Sequence, residues 1–205
     1  MNDDIGKNNI FYIPLNTYFY TFDRLNNPVS AIYLKNSFFQ FPSDIYFNSD
    51  FTIILWFSLK ELNQQYLSFV DFGNGVDSDN IVIGYYKEMN QFLIYILNSD
   101  DLSNKYLYSD EYELKIDVWY QLIFVLKSNI GSLYLNGNLI GSNELNTPNN
   151  IIRYYCYIGK SNYDLNSNLS SVFDLIQFYK GAFDSNQVLN DYLKNTPGKF
   201  NTVLI

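Results

Sequence analysis

Few residues in this chain of 205 could carry catalytic chemistry. Histidine does not occur, which excludes nucleophiles activated by imidazole and removes the commonest acid–base group at neutral pH. Cys156 is the single cysteine, so internal disulfides and the usual zinc sites are excluded as well. Its apolar neighbours, among them Tyr155 and Ile158, predict a buried and unreactive thiol.

A pair of carboxylates is the remaining route to catalysis, as in glycoside hydrolysis. The nearest approach to such a pair is Glu111 with Glu113, followed by Asp117. These acids lie in a polar segment, whereas a catalytic pair with raised pKa values needs burial. We therefore predict that the chain is not an enzyme, and glycoside hydrolysis is the least favoured alternative.

Calcium binding fits the sequence better, because the ion takes about six to eight oxygen atoms from carboxylates, amides and carbonyls on loops. Asp79 and Asn80 end a polar turn that precedes an apolar strand. Asn162 and Asp164 lie in a second polar turn, which follows an Ile-Gly pair. Ordinary solvated turns rich in Asp and Asn are the alternative interpretation of both segments.

Tyrosine is the most abundant aromatic residue, with 20 copies, and its ring can stack on a sugar face or anchor a protein interface. Seven tyrosines lie on predicted strands or loops that could be exposed: Tyr85, Tyr86, Tyr95, Tyr106, Tyr108, Tyr112 and Tyr163. We take Tyr85, Tyr86 and Tyr163 as the candidate partner-binding residues. Ordinary packing within a sheet is the alternative for each ring.

The charge of the chain narrows the classes of partner. The net charge is −8, and the 13 lysines and arginines are scattered, so a nucleic-acid partner is not expected. No apolar run approaches the length of about 18 residues that crosses a bilayer, so membrane insertion is not expected either. The N-terminus does not resemble a signal peptide, and the compartment stays undefined.

The elements that must position these residues are predicted to be strands. If segment 51–59 is a strand, its side chains alternate between two faces, and one face holds Phe51, Ile53, Leu55, Phe57 and Leu59. Ile54 and Trp56 fall on the opposite face, which predicts an inner strand covered on both sides. Similar patterns predict strands over 31–34, 66–72, 81–86, 92–97, 105–108, 118–127, 132–135, 154–158 and 172–179. Asn136-Gly137 predicts a type I′ hairpin turn, and 184–195 is the one predicted helix, capped by Asp184 or Ser185.

Three stretches, in order, resemble the laminin-G-like or concanavalin A-like jelly-roll superfamily. They are 31–59 with Trp56, 119–141 with Asn136-Gly137, and 157–195 with Gly159. The resemblance implies an all-β, two-sheet antiparallel jelly-roll sandwich with one short C-terminal helix. We expect a single domain over 1–205, with a core at about 10–196 and a tail at 197–205 that docks on this chain or a neighbour.

The resemblance also sets the functional hypotheses. It implies a non-catalytic recognition module that binds a glycan or a protein through loops and a sheet face. A structural subunit of a large assembly, such as a virion or fibre, is the main alternative, followed by a toxin-type receptor-binding fragment. Pentraxin-like relatives imply calcium ligands at Asp79 and Asn80, and more loosely at Asn162 and Asp164. Asp174, an acid within an apolar strand, would be architectural and paired.

Overall fold

The computed structural model describes residues 12–100, 105–163 and 168–196, so Asp164 and the predicted tail at 197–205 lie outside the described residues. The described part forms thirteen strands and the helix α1 (Ser185–Asn195). The strands are β1 (Tyr18–Thr21), β2 (Ala31–Ser37), β3 (Phe39–Phe41), β4 (Phe51–Leu59), β5 (Tyr66–Gly73), β6 (Ile81–Tyr86), β7 (Gln91–Ile96), β8 (Tyr106–Tyr108), β9 (Trp119–Lys127), β10 (Ile130–Leu135), β11 (Asn138–Glu144), β12 (Tyr155–Ile158) and β13 (Leu169–Lys180).

These strands form two antiparallel sheets that face each other. The seven-stranded sheet has the order β1-β2-β13-β4-β9-β10-β11, and the six-stranded sheet has the order β3-β12-β5-β6-β7-β8. Apolar side chains from both sheets form one core, in which the rings of Phe57 and Phe69 lie 4.5 Å apart between the sheets. The predicted all-β jelly-roll sandwich is therefore confirmed.

Strand β4 is covered on both faces, as its sequence predicts. Its odd-numbered residues from Phe51 to Leu59 belong to the core between the sheets. On the outer face, Ile54 packs against Val188 of α1, and the ring of Trp56 is stacked on Tyr192 at a centroid distance of 6.0 Å. The helix thus closes the outer face of the seven-stranded sheet.

Local signals in the sequence define the hairpin and the start of the helix. Asn136 and Gly137 both have positive φ angles, of 50° and 78°, as the predicted turn between β10 and β11 requires. Asp184 is the N-cap of α1: its Oδ1 accepts from the Gln187 backbone N at 2.8 Å, while the Gln187 side chain accepts from the Asp184 N at 2.9 Å. This reciprocal pair is a capping box.

One ion pair supports the outer face of the seven-stranded sheet. Asp174 forms an ion pair with Arg24, and the two side chains are largely buried, with 10% and 8% of their surface exposed. The Arg24 guanidinium also lies 4.8 Å from the centroid of the Trp56 ring and donates to the Asn195 carbonyl at 2.7 Å. Asp174 is therefore paired, as predicted.

Cys156 is buried in the core, and burial raises the pKa of its thiol to about 12, so the thiol stays protonated.

Candidate functional site

The register of the six-stranded sheet aligns tyrosines on its outer face, away from the core. One row across the strands holds Tyr157, Asp71, Val82, Tyr95 and Tyr106. The next two rows hold Ser68, Gly84, Leu93 and Tyr108, and then Tyr66, Tyr86 and Gln91. We call the surface formed by Tyr66, Tyr86, Tyr95, Tyr106, Tyr108 and Tyr163 the tyrosine face.

The rings of the tyrosine face contact one another in sequence. The Tyr163 and Tyr95 centroids are 6.5 Å apart, those of Tyr95 and Tyr106 are 5.7 Å apart, and those of Tyr106 and Tyr108 are 6.4 Å apart. Tyr108 is 51% exposed, and Tyr106 and Tyr163 are also exposed, whereas Tyr95 is half-buried. The contacts between rings hold the exposed ones in fixed positions on rigid strands.

A glycine lets one of these rings lie flat on the sheet. A Cβ atom added at Gly84 would collide with the Tyr66 ring, so only glycine leaves room for it on the neighbouring strand. The Tyr66 ring also contacts Tyr86, with centroids 4.9 Å apart. Burial raises the pKa of the Tyr66 and Tyr95 hydroxyls, so both stay protonated and can donate hydrogen bonds at neutral pH.

Asp71 lies beneath this surface and is fully buried, at 0% exposure. Its Oδ1 accepts from Asn80 Nδ2 at 2.8 Å and from Asn162 Nδ2 at 2.7 Å. Its Oδ2 accepts from the Asn162 backbone N at 2.7 Å and from Ser161 Oγ at 3.4 Å. Burial raises the pKa of Asp71, and these hydrogen bonds oppose the rise by stabilising the carboxylate. All four donors are neutral groups.

The two polar turns that the sequence singles out therefore meet at one place. Asn80, from the turn before β6, and Asn162, from the turn after β12, both bind Asp71. Tyr163 joins the same turns, because its hydroxyl donates to Asp77 Oδ1 at 2.7 Å and accepts from the Asp77 N at 3.2 Å. Asp77 has a φ angle of 51°, a left-handed conformation that Asp and Asn adopt in turns and that ten other non-glycine residues of the described chain share.

A family model described as the concanavalin A-like lectin/glucanases superfamily matches residues 35–189, about three quarters of the chain. The chain belongs to this superfamily. Three solved structures have a similar fold. One is domain 4 of AbnA, a GH43 extracellular arabinanase from Geobacillus stearothermophilus, in complex with arabinotriose. It is 16% identical, with 78% of this chain and 75% of that chain covered and a TM-score of 0.62.

The second is the binding domain of paraclostridial mosquitocidal protein 1, at 17% identity, with 89% of this chain and 47% of that chain covered and a TM-score of 0.65. The third is Trypanosoma rangeli sialidase, at 12% identity, with 88% of this chain and 29% of that chain covered and a TM-score of 0.63. This lectin/glucanase-type chain thus spans less than half of either protein. No curated protein sequence matches it.

The calcium ligands implied by the sequence do not present a matching set of oxygen atoms in the described residues. Asn80 and Asn162 turn their NH₂ groups toward Asp71, and Asn80 Oδ1 already accepts from the Ser78 N at 2.8 Å. Asp79 Oδ1 accepts from Asn149 Nδ2 at 2.9 Å. Among the described residues, no three His, Cys, Asp or Glu side chains cluster as a metal site. Calcium at Asp79, Asn80, Asn162 and Asp164 stays a prediction.

Tyr85 requires a correction, because its side chain is 1% exposed and faces the core. Its hydroxyl donates to Asn90 Oδ1 at 3.0 Å, so it has no surface available to a partner. The neighbouring Tyr86 points outward onto the tyrosine face. The alternation of β6 gives the reason: Tyr85 shares its face with Ile81 and Ile83, which a period of two assigns to the core.

Asp71 was not among the predicted site residues, although the sequence carries a signal for it. It is an acid inside the apolar segment 66–72, the same signal that marks Asp174.

The carboxylates considered for catalysis are elsewhere, between β8 and β9. Glu111 and Glu113 are exposed, and Asp117 forms an ion pair with Lys60 at 2.6 Å. No helix in the described part of the chain is long and apolar enough to cross a membrane.

Proposed function

We propose that the chain is a non-catalytic recognition module and that it binds a glycan on the tyrosine face. The observation that carries the proposal is the row of contacting rings from Tyr163 to Tyr108, exposed at both ends and half-buried in the middle. Sugars present C–H groups on their ring faces and hydroxyls around the edge. Tyrosine matches both features, because it joins an apolar ring to a polar tip.

The position of the row supports binding with little reorganisation. Tyr95, Tyr106 and Tyr108 lie on paired strands, and Tyr163 is held by two hydrogen bonds to Asp77. Ordering side chains at an interface costs about 0.5–1.5 kcal/mol for each flexible group, so rings already held in place bind at a lower entropic cost. In the AbnA relative, a domain of the same fold is in complex with arabinotriose, which makes this trisaccharide a suitable first probe.

Two acids at the tyrosine face, Asp71 and Asp77, support a binding role over hydrolysis. Hydrolysis of a glycosidic bond needs two carboxyl groups on either side of the bond. Asp71 is buried beneath the tyrosine face, and its carboxylate is already bound by neutral donors from Asn80, Asn162 and Ser161. Asp77, at the margin of the face, accepts from Tyr163. Neither acid is arranged to deliver a proton to a sugar above the rings.

The test is a glycan array that includes arabinotriose, followed by calorimetry on the glycans that bind. We expect Tyr108→Ala to weaken binding about tenfold, since aromatic contacts of this kind contribute on the order of 1–2 kcal/mol. The matched control is Tyr20→Ala, which removes a ring of 64% exposure from β1 of the other sheet and should leave the affinity unchanged. Equal losses in both variants, or none in Tyr108→Ala, would contradict the proposed site.

A structural subunit is the second candidate, and β1 is the observation that favours it. This strand is the outermost of the seven-stranded sheet, and Phe19, Tyr20 and nearby Phe22 are exposed on it. Exposed aromatic residues on an edge strand can pair with another chain. Light scattering after size-exclusion chromatography distinguishes the candidates, because a subunit should assemble and Tyr20→Ala should reduce the assembly, whereas a glycan-binding module needs no assembly.

A further inference from the structure

The charged residues of the chain limit which glycans the tyrosine face can accept. Arginine is the usual residue for binding carboxylate, phosphate and sulfate groups, because its planar guanidinium donates two parallel hydrogen bonds. The chain has two arginines, Arg24 and Arg153, and both are buried. Arg24 is bound to Asp174 on the seven-stranded sheet, and Arg153 donates to the Asp79 carbonyl at 2.9 Å. Neither guanidinium lies on the tyrosine face.

The lysines that border the tyrosine face in the described residues are already engaged. Lys160 lies over two rings, 4.5 Å from the Phe38 centroid and 4.7 Å from that of Tyr157. Lys87, just after β6, donates to the Leu62 carbonyl at 2.7 Å. Lys105, just before β8, forms an ion pair with Glu144 at 2.6 Å. Of these three, only Lys105 is neutralised by an acid, whereas Lys87 and Lys160 have neutral partners and keep their charge at the border of the face.

Negative charge, by contrast, lies at the face itself. The Asp71 carboxylate is beneath the rings, and Asp77 is at their margin, bound to Tyr163. The net charge of −8 adds a repulsive field for any anion that approaches. On the face itself, the groups that can contact a ligand are aromatic rings, phenol hydroxyls and the Gln91 amide, all of which are neutral.

We infer that the tyrosine face binds uncharged glycans, meaning oligosaccharides without carboxylate, sulfate or phosphate groups. This inference rests on the proposed glycan-binding function and narrows it to one ligand class. Recognition would come from rings that stack on the C–H faces of sugars and from hydroxyls and amides that bond to sugar hydroxyls. Such contacts release no counterions, so the affinity should depend little on ionic strength.

The experiment compares each neutral oligosaccharide that binds with its sialylated and sulfated derivatives, by calorimetry on the full chain. We expect acidic derivatives to bind at least about tenfold more weakly at low salt, with the gap narrowing between about 50 and 500 mM NaCl as repulsion is screened. The neutral affinity should change less than about twofold over the same range. Acidic derivatives that bind as tightly or more tightly, with an affinity that falls as salt rises, would overturn the inference while leaving glycan binding intact. Binding to no glycan would overturn the proposed function and this inference together.

A charge placed on the face gives a second, independent readout. Gln91→Arg adds a guanidinium beside Tyr86, and we expect it to reduce the difference in affinity between acidic and neutral glycans at least about threefold. Leu189→Arg is the matched control, because it makes the same change of net charge at an exposed position of α1, on the outer face of the other sheet. If both variants shift the preference equally, net charge and not the face determines it, and the inference fails.

Discussion

The outer faces of the two sheets differ in the side chains they carry. The outer face of the seven-stranded sheet is apolar in its middle, with Ile54, Ile123 and Val125 packed against Val188 of α1. The outer face of the six-stranded sheet carries tyrosines around small or short residues, and no helix of the described residues covers it. A continuous aliphatic surface needs a cover to remove it from water, whereas tyrosine can remain at the surface with its hydroxyl solvated.

Each face also buries one carboxylate, and the two are stabilised differently. Asp174 has a charged partner, Arg24, which is itself fixed by Trp56 and by the end of α1. Asp71 is bound by neutral groups from the turns around the tyrosine face. The first arrangement ties a helix to a sheet and leaves nothing exposed. The second ties together the two turns that border an open surface, which makes it the support of the candidate site.

The largest effect on stability is expected at the outer face of the seven-stranded sheet, which α1 covers. Arg24→Ala should lower the free energy of unfolding by about 3–5 kcal/mol, because it leaves Asp174 buried without its partner and removes the contact with Trp56. Chemical denaturation measures the loss. Adding Asp174→Ala to this variant should restore part of it. A loss below about 1 kcal/mol would show that the pair behaves like an exposed one.

At the tyrosine face, Asp71→Ala should lower the free energy of unfolding by about 2–3 kcal/mol. The substitution leaves the Asn80 amide and the Asn162 backbone N–H without an acceptor, while the Asn162 amide keeps the Tyr155 carbonyl at 3.2 Å. Each unsatisfied buried donor is expensive. Glycan binding should weaken as well, because Tyr163 follows Asn162 directly. Glu113→Ala is the control, an exposed acid whose removal should change stability by less than about 0.5 kcal/mol.

The difference between the two faces was only partly predictable from the sequence. All ten strands expected from period-two patterns are present, with bounds that differ by three residues or fewer. Three observed strands were not predicted as strands: β1 has three consecutive aromatic residues and no alternation, β3 has only three residues, and β11 was implied only as the partner strand of the hairpin at Asn136-Gly137. The covered face was predictable, because Ile54 and Trp56 are apolar on the side of β4 opposite the core.

The candidate site was less predictable, because its geometry depends on which strands are neighbours. Tyr95, Tyr106 and Tyr108 come together through the register of β7 with β8, which no local pattern specifies. Asp71 and Asn162 are 91 residues apart in the chain, and only the pairing of β5 with β12 brings them within hydrogen-bonding distance. Period two could have excluded Tyr85, since it places this residue with Ile83 on the core side.

The pH dependence of stability tests the environment of Asp71. Because burial raises its pKa in the folded state, the folded protein binds this proton more tightly than the unfolded chain does. Stability contributed by this group therefore falls as pH rises from the ordinary value of 3.8 through the higher native pKa, and levels off above it. Asp71→Asn removes the titration. We expect the wild-type free energy of unfolding, relative to that of this variant, to fall over that window in denaturation series at several pH values. A relative stability that rises with pH would contradict the assigned direction.

Calcium should have the smallest effect on stability. Its test shows whether the turns beside the tyrosine face are held by the neutral donors to Asp71 alone. A site with a dissociation constant of about 1 mM would stabilise the fold by about 1 kcal/mol at about 5 mM calcium, which raises the Tm by about 2–4 °C. The orientation of the Asn80 and Asn162 amides toward Asp71 leads us to expect a change below about 1 °C, equal to that with magnesium. A rise specific to calcium and lost in Asp79→Asn would instead support the site implied by the sequence. The turns beside the tyrosine face would then be held by a cation as well as by Asp71.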